Sequence, residues 1–151
     1  MSQRVYRVCR AVHARLDGEG AVRVGGRWNS SGKSVVYMAQ SISLAVLENL
    51  VHMSKADFPV GYVSVCATIP DELSFLTEDD IRKDIPDAGP RELGDHWLAS
   101  SGSAVLRVRS AVIPEEFNFL LNPRHPGFSQ IVVEPAIPFI FDERLFLYPK
   151  E

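Results

Sequence analysis

The residues best suited to chemistry are concentrated between positions 25 and 48. Gly25 and Gly26 have no Cβ atom, so a ligand can approach their backbone closely, and Arg27 follows with a planar guanidinium group that suits phosphate oxygens. Tyr37 supplies an aromatic ring, and Glu48 supplies a carboxylate on the segment that follows. We interpret this stretch as one wall of a pocket for an anionic ligand.

Part of this stretch also resembles a phosphate-binding P-loop. Gly32, Lys33 and Ser34 match the last three positions of the GxxxxGK[ST] motif. However, Arg27 occupies the position of the first glycine, and the strand-like residues 35–37 follow where a P-loop requires the N-terminus of a helix. The sequence therefore argues against a P-loop nucleoside triphosphatase.

A short strand and a helix must position the tyrosine and the glutamate. Residues 35–37 predict a buried strand, and residues 41–53 predict a mostly buried helix that Ser41 or Ser43 can cap. The helix has one narrow polar stripe, which contains Ser41, Glu48, His52 and Lys55. Such a stripe is more often a solvated face, but its narrowness and the tyrosine on the preceding strand favour a site.

The rest of the chain predicts an α+β domain over residues 1–151. Helices are predicted after Thr77, which forms a capping box with Asp80, and from Pro90 onward. Residues 118–127 are dense in turn formers and predict a loop that could carry function. In total we expect about six strands with two or three inserted helices. Besides residues 35–37, the predicted strands are 4–11, 61–69, 104–112, 131–134 and 138–141.

The composition narrows the class of protein. The 151 residues are 46% hydrophobic and 23% charged, as in ordinary globular domains, and the net charge of −3 argues against direct binding of nucleic acid. Cys9 and Cys66 match no metal spacing and no disulfide scaffold. The sequence shows no signal peptide and no membrane-spanning stretch, so we expect a cytoplasmic protein that does not bind a membrane. We also expect no metal cofactor.

Several motifs follow one another along the chain: Gly26-Arg27-Trp28-Asn29, Tyr37, Leu47-Glu48, Gly-Asp-His-Trp-Leu at 94–98, Ser110, Asn-Pro-Arg-His-Pro at 122–126 and Phe-Asp-Glu-Arg-Leu at 141–145. In this order they resemble the RES-domain toxins of RES–Xre type II toxin–antitoxin systems. The family is named for an Arg, a Glu and a Ser, which the resemblance matches to Arg27, Glu48 and Ser110. One position departs from the family, which usually reads Val-Pro-Ser, because Arg109 precedes the serine and restores an N–H group.

The resemblance implies a fold similar to the ADP-ribosyltransferase toxins and an enzyme whose substrate is NAD. Members either cleave the nicotinamide–ribose bond, by hydrolysis or phosphorolysis, and so arrest growth, or transfer ADP-ribose to a protein. The resemblance also implies an Xre-like helix-turn-helix antitoxin that covers the active site. An oligomer is expected within the toxin–antitoxin complex.

The chemistry of NAD gives these residues roles. Nicotinamide leaves as a neutral molecule and needs no general acid, so one carboxylate suffices; we assign Glu48 to stabilise the oxocarbenium-like transition state and to hold a ribose hydroxyl. Tyr37 would stack on the nicotinamide or orient it, and Arg27 would pair with the pyrophosphate. Further candidates for binding a ribose, a phosphate or an acceptor are Ser110, Asn122, His125 and Arg7, although a solvated edge charge is the commoner role for Arg7.

Two alternatives stay open at this point. Transfer to a protein needs a second polar group near Glu48 to orient the nucleophile, and the sequence offers only His52, one helical turn away, so breakdown of NAD is favoured over transfer. A non-catalytic nucleotide-binding module is the other alternative. Such a module has no need of Glu48, which argues against it.

Overall fold

The computed structural model describes residues 2–147, and each helix in that range is too short or too polar to cross a membrane. The same residues contain eight strands: β1 (Gln3–Arg10), β2 (Val36–Ala39), β3 (Tyr62–Ile69), β4 (Leu76–Thr77), β5 (Val105–Arg109), β6 (Phe117–Leu121), β7 (Val132–Val133) and β8 (Ile137–Phe139). Four α-helices lie in this range: α1 (Glu19–Val24), α2 (Ile42–Leu50), α3 (Glu78–Arg82) and α4 (Pro90–Ser100). Short 3-10 helices occupy Ala11–His13, Pro126–Gln130 and Glu143–Leu145.

The strands form one curled sheet with the order β4-β5-β6-β2-β1-β3-β7, and β8 also pairs with β3. The pair β4 and β5 is parallel, and the other described pairs are antiparallel. β1 and β3 pair along their full length, whereas the described ladder between β1 and β2 has one position, Tyr6 opposite Ala39. The sheet is therefore almost divided between β1 and β2.

Two helices cover the same face of the sheet on opposite sides of β2. α2 packs Leu44 and Ala45 against β1 and β2, and α4 packs Leu93 and Trp97 against β5 and β6. The strand registers place the residues that these helices contact on one face, because successive side chains of a strand alternate. The other face carries a separate core of Val5, Val36, Met38, Ala67, Phe119 and Leu121.

Local signals set three helix starts as predicted. The Ser41 hydroxyl accepts a hydrogen bond from the Leu44 N–H at 3.1 Å and caps α2. Thr77 and Asp80 form the predicted capping box of α3, and Pro90 is the first residue of α4. The predicted α+β class is confirmed.

Several predictions of local structure were wrong, since the described residues contain eight strands and four α-helices rather than about six strands and two or three helices. α2 ends at Leu50 rather than at residue 53, and its outer side is exposed, with Leu47 39% accessible, so the helix is half-buried rather than mostly buried. The first part of the predicted loop at 118–127 is strand β6. β6 lies between β2 and β5, and this pairing outweighs the turn-forming tendency of Asn118.

Helix α4 fixes the loop that precedes β2. The Asp95 carboxylate accepts hydrogen bonds from the Ser30 N–H at 2.9 Å and the Ser30 hydroxyl at 2.5 Å. One residue earlier, a Cβ atom at Gly94 would lie only 1.7 Å from the Trp28 carbonyl oxygen. The loop and the helix therefore approach as closely as their backbones allow.

Gly94→Ala should destabilise the protein, because the added methyl group would overlap the Trp28 carbonyl oxygen. We expect the free energy of unfolding, measured by chemical denaturation, to fall by about 3 kcal/mol. Gly20→Ala in α1 is the matched control, since nothing lies within 4 Å of its new Cβ. That control should equal the wild type or gain up to about 1 kcal/mol. Equal stability of the two variants would contradict the close packing.

Candidate active site

Glu48 is held by two donors from β6 and from the end of β5. The Ser110 hydroxyl donates to Glu48 Oε1 at 2.6 Å, and Asn118 Nδ2 donates to the same oxygen at 2.8 Å. The other oxygen, Oε2, accepts no hydrogen bond from residues 2–147. The carboxylate is thus fixed through one oxygen, and the second remains for a ligand.

The hydroxyl of Ser110 has its hydrogen-bonding capacity filled by the protein. The residue is 2% exposed, and its oxygen accepts from the N–H groups of Val112 at 3.1 Å and Ile113 at 3.0 Å. Because both acceptor positions are occupied, the one hydroxyl proton points to Glu48. In this arrangement Ser110 orients the carboxylate, and its direct contact with a ligand stays a prediction.

Tyr37 joins β2 to the loop before it. Its hydroxyl donates to Asn29 Oδ1 at 2.5 Å and accepts from the Trp28 N–H at 3.1 Å. Burial raises the pKa of Tyr37 to about 12. A Cβ atom at Gly26 would lie 2.6 Å from the tyrosine oxygen, so only glycine permits this approach.

Asn29 organises the same loop from inside. Its side chain is fully buried, and Nδ2 donates to the carbonyl oxygens of Ala21 and Ser30 at 3.0 Å and of Lys33 at 3.2 Å. These bonds connect α1, the turn and the segment that leads into β2. The loop is therefore a rigid support for Tyr37.

Two arginines lie on the outside of this loop. The Arg27 side chain is exposed and forms no hydrogen bond or ion pair with the described residues 2–147. Arg91, on α4, donates to the Gly26 carbonyl at 3.4 Å, a long and weak contact. Both guanidinium groups can therefore turn towards an anion at little cost.

Arg7 lies where β1 and β2 separate. Its Nη1 donates to the Tyr37 carbonyl at 3.3 Å, and its Nε is buried without a hydrogen-bond partner in the described part of the chain. β1 is an interior strand, so Arg7 is not the solvated edge charge that is commoner for such residues. The structure thus brings Arg7 next to the backbone of Tyr37.

None of the other predicted site residues is hydrogen-bonded to Glu48 within residues 2–147. Asn122 is buried and lies just past the end of β6, four positions after Asn118. Four positions correspond to about 13 Å along a strand. The Asn122 Oδ1 accepts a hydrogen bond from the Arg124 N–H. His125 accepts a hydrogen bond from the Gly127 N–H through Nδ1. His52 is exposed beyond the end of α2. Roles for these three in binding stay predictions.

The described contacts join Arg7 to the Tyr37 carbonyl and the loop that contains Arg27 to the Tyr37 hydroxyl, while Glu48 is bound to Ser110 and Asn118. Among residues 2–147, no three His, Cys, Asp or Glu side chains are grouped so that they could hold a metal ion. A fixed carboxylate with a free oxygen stabilises developing positive charge, and guanidinium groups pair with phosphates. The site therefore suits a phosphate-bearing ligand that becomes cationic as it reacts.

The family model described as RES domain matches residues 4–142, which include every candidate site residue. The chain belongs to the RES domain family. The resemblance drawn from the sequence motifs is thereby confirmed.

Relatives of this RES domain are named as toxins. It is 36% identical over 138 residues to the Prs ADP-ribosylating toxin of Sphingobium sp. strain YBL2, covering 86% of each protein. It is 36% identical over 150 residues to Toxin Res of Yersinia enterocolitica, covering 93% of this chain and 98% of that protein. It is 34% identical over 149 residues to Toxin Res of Photorhabdus laumondii, covering 93% and 96% respectively.

The fold is similar to one in the crystal structure of the M. tuberculosis MbcT-MbcA toxin-antitoxin complex. The TM-score is 0.65, with 93% of this chain and 85% of that chain covered. The sequence identity is 20%, so this likeness shows the fold and nothing further.

Sequence reasoning missed Asn118, the second donor to Glu48. A signal was present, since asparagine is disfavoured in strands and this one interrupts the otherwise apolar segment Phe117–Leu121. Its Oδ1 is buried without a hydrogen-bond partner among the described residues. A buried side-chain amide in a strand, with one of its polar atoms unpaired, indicates a specific role. Here the role is to donate a hydrogen bond to Glu48.

Tyr37 should lose its proton near pH 12 rather than near pH 10. Because burial favours the neutral phenol, its contribution to stability is complete below pH 10 and is lost as the pH rises towards 12. Tyrosinate absorbance of the folded protein should therefore contain one late transition. Tyr37→Phe should remove that transition; a late transition that survives in Tyr37→Phe would show that another group causes it.

Proposed function

We propose that this RES domain cleaves the bond between nicotinamide and ribose in NAD. The observation that carries the proposal is Glu48, whose carboxylate is fixed through Oε1 by two donors and has Oε2 without a protein donor. A carboxylate with this placement can accept a ribose hydroxyl and stabilise positive charge on the sugar. The name of the Sphingobium relative, an ADP-ribosylating toxin, supports NAD as the substrate.

One carboxylate is enough for this reaction. The nicotinamide ring of NAD carries a positive charge, and when the C1′–N1 bond breaks the electron pair moves to nitrogen, so nicotinamide leaves neutral. Ordinary glycosidases need a second carboxyl group to protonate their leaving group. Here the ribosyl cation is captured by water, phosphate or a protein nucleophile, which then releases a proton. Glu48 lowers the barrier by stabilising that cation.

The remaining residues bind and orient NAD in this proposal. Arg7, which contacts the Tyr37 carbonyl, and the exposed Arg27 would supply charge for the pyrophosphate. The Tyr37 hydroxyl is bound to the protein, so its ring face, rather than its hydroxyl, is the part that would contact nicotinamide. Ser110 and Asn118 act through Glu48. Asn122 is kept as a candidate for ribose binding at the far end of β6.

We further propose that the chain is the toxin of a toxin–antitoxin pair. The names of its relatives and the antitoxin present in the MbcT-MbcA structure support this role. An Xre-like antitoxin with a helix-turn-helix part would cover the site, and the two would form an oligomer in the cytoplasm. A helix-turn-helix protein encoded next to this chain would support the pairing.

Glu48→Gln should abolish most of the release of nicotinamide from NAD. The glutamine keeps an oxygen for Ser110 and Asn118 but loses the negative charge, so we expect a fall in kcat of at least a hundredfold with little change in Tm. The enzyme is used free of antitoxin, and the nicotinamide that it releases is measured by chromatography. Glu92→Gln on α4 is the control for loss of an exposed charge and should be fully active. Full activity of Glu48→Gln would show that the carboxylate is assigned wrongly.

The acceptor of ADP-ribose is tested with labelled NAD in a cell lysate. Breakdown should consume the NAD pool without a labelled protein band, whereas transfer should label a protein in a manner that depends on Glu48. The name of the Sphingobium relative favours transfer to Prs, and this is the second candidate function. Tight binding of NAD in calorimetry with neither outcome would instead support a non-catalytic binding module.

A further inference from the structure

The separation of β1 from β2 is closed by side chains instead of backbone hydrogen bonds. With Tyr6 opposite Ala39, the next step of an antiparallel ladder would place Val8 opposite Tyr37. The Val8 carbonyl instead accepts from Asn49 Nδ2 at 2.8 Å, and the Tyr37 carbonyl accepts from Arg7 Nη1 at 3.3 Å. We call this separation, bounded by Val8 and Tyr37, the seam.

Asn49 lies on the β1 side of the seam, and its side-chain amide donates two hydrogen bonds. Nδ2 donates to the Val8 carbonyl and also to the Ala45 carbonyl in the preceding turn of α2, each at 2.8 Å. The amide nitrogen is therefore fixed between the helix and β1. Its bonds are directional, whereas the apolar contacts of Leu44 and Ala45 allow α2 to rotate or slide.

Helix α2 is thereby attached to both halves of the sheet through consecutive residues. Glu48 is bound to Ser110 and Asn118 on the side of β5 and β6, and Asn49 is bound to Val8 on β1. The described ladder between β1 and β2 has only one pair, so these side-chain bonds add links between the two halves of the sheet.

We infer that Asn49 is a positioning residue that sets the width of the seam, and with it the placement of Glu48 and Tyr37 relative to Arg7. This inference rests on the proposed function, in which Arg7 binds the phosphates of NAD and Glu48 stabilises the ribosyl cation. Asn49 would control the distance between these two groups. Arg7 stands on β1, whereas Tyr37 stands on β2. A shift of about 1 Å in such a distance can lower a rate a hundredfold.

The test compares Asn49→Asp and Asn49→Ser with Ser103→Ala. The aspartate keeps the shape of asparagine but cannot donate, and serine is too short to reach Val8. Ser103 is buried and donates to the Val105 carbonyl at 2.6 Å in another part of the core, so its loss destabilises the fold without touching α2. Nicotinamide release is measured below the Tm of every variant.

We expect both Asn49 variants to raise KM for NAD and to lower kcat by between about tenfold and a hundredfold. Ser103→Ala should lower Tm by a similar amount with kcat and KM unchanged. Asn49 variants whose kcat and KM match those of Ser103→Ala would show that Asn49 serves stability alone, which would overturn the inference.

Hydrogen–deuterium exchange gives a second readout that does not depend on activity. If Asn49 holds the seam, Asn49→Ser should speed exchange in residues 6–9 and 36–39 but leave β5 and α4 protected. Unchanged exchange at the seam would also overturn the inference. A wild-type protein that releases no nicotinamide and modifies no protein would refute the proposed function, and the exchange comparison would still decide what Asn49 does.

Discussion

The bonds that Ser110 and Asn118 make to one oxygen of Glu48 are the interaction on which the site depends. A carboxylate in a half-buried position is unfavourable unless donors compensate for the water it loses. The two donors come from the end of β5 and from β6, while the acid comes from α2, so three elements must meet correctly for this one group to be satisfied. The same hydrogen bonds therefore compensate the carboxylate for lost water and fix its orientation.

The opposite side of the site is made rigid by other means. Asn29 ties the loop before β2 together, Asp95 attaches it to α4, and Gly94 allows the closest approach. The Tyr37 hydroxyl is then held by this loop, and burial keeps it neutral at any ordinary pH. Both sides of the site are thus fixed by side-chain contacts, whereas the described ladder between β1 and β2 at the seam has a single pair.

The features that the sequence predicted correctly are those that depend only on residues close together along the chain. The cap at Ser41, the capping box at Thr77 and the start of α4 at Pro90 are local signals, and each was found as expected. Asn118 and the position of Arg7 were not predicted. Both depend on which strands lie side by side, and neither composition nor periodicity shows that β6 lies next to β2 or that β1 leaves β2 after one pair.

Arg109 supports the end of β5 next to Ser110. The N–H group that a proline would lack donates to Glu78 on α3 at 2.7 Å, so the arginine adds an anchor at the end of β5. Ser110, the next residue, keeps all of its bonds to the turn and to Glu48. Arg109 therefore supports the end of β5, while Ser110 beside it orients the Glu48 carboxylate.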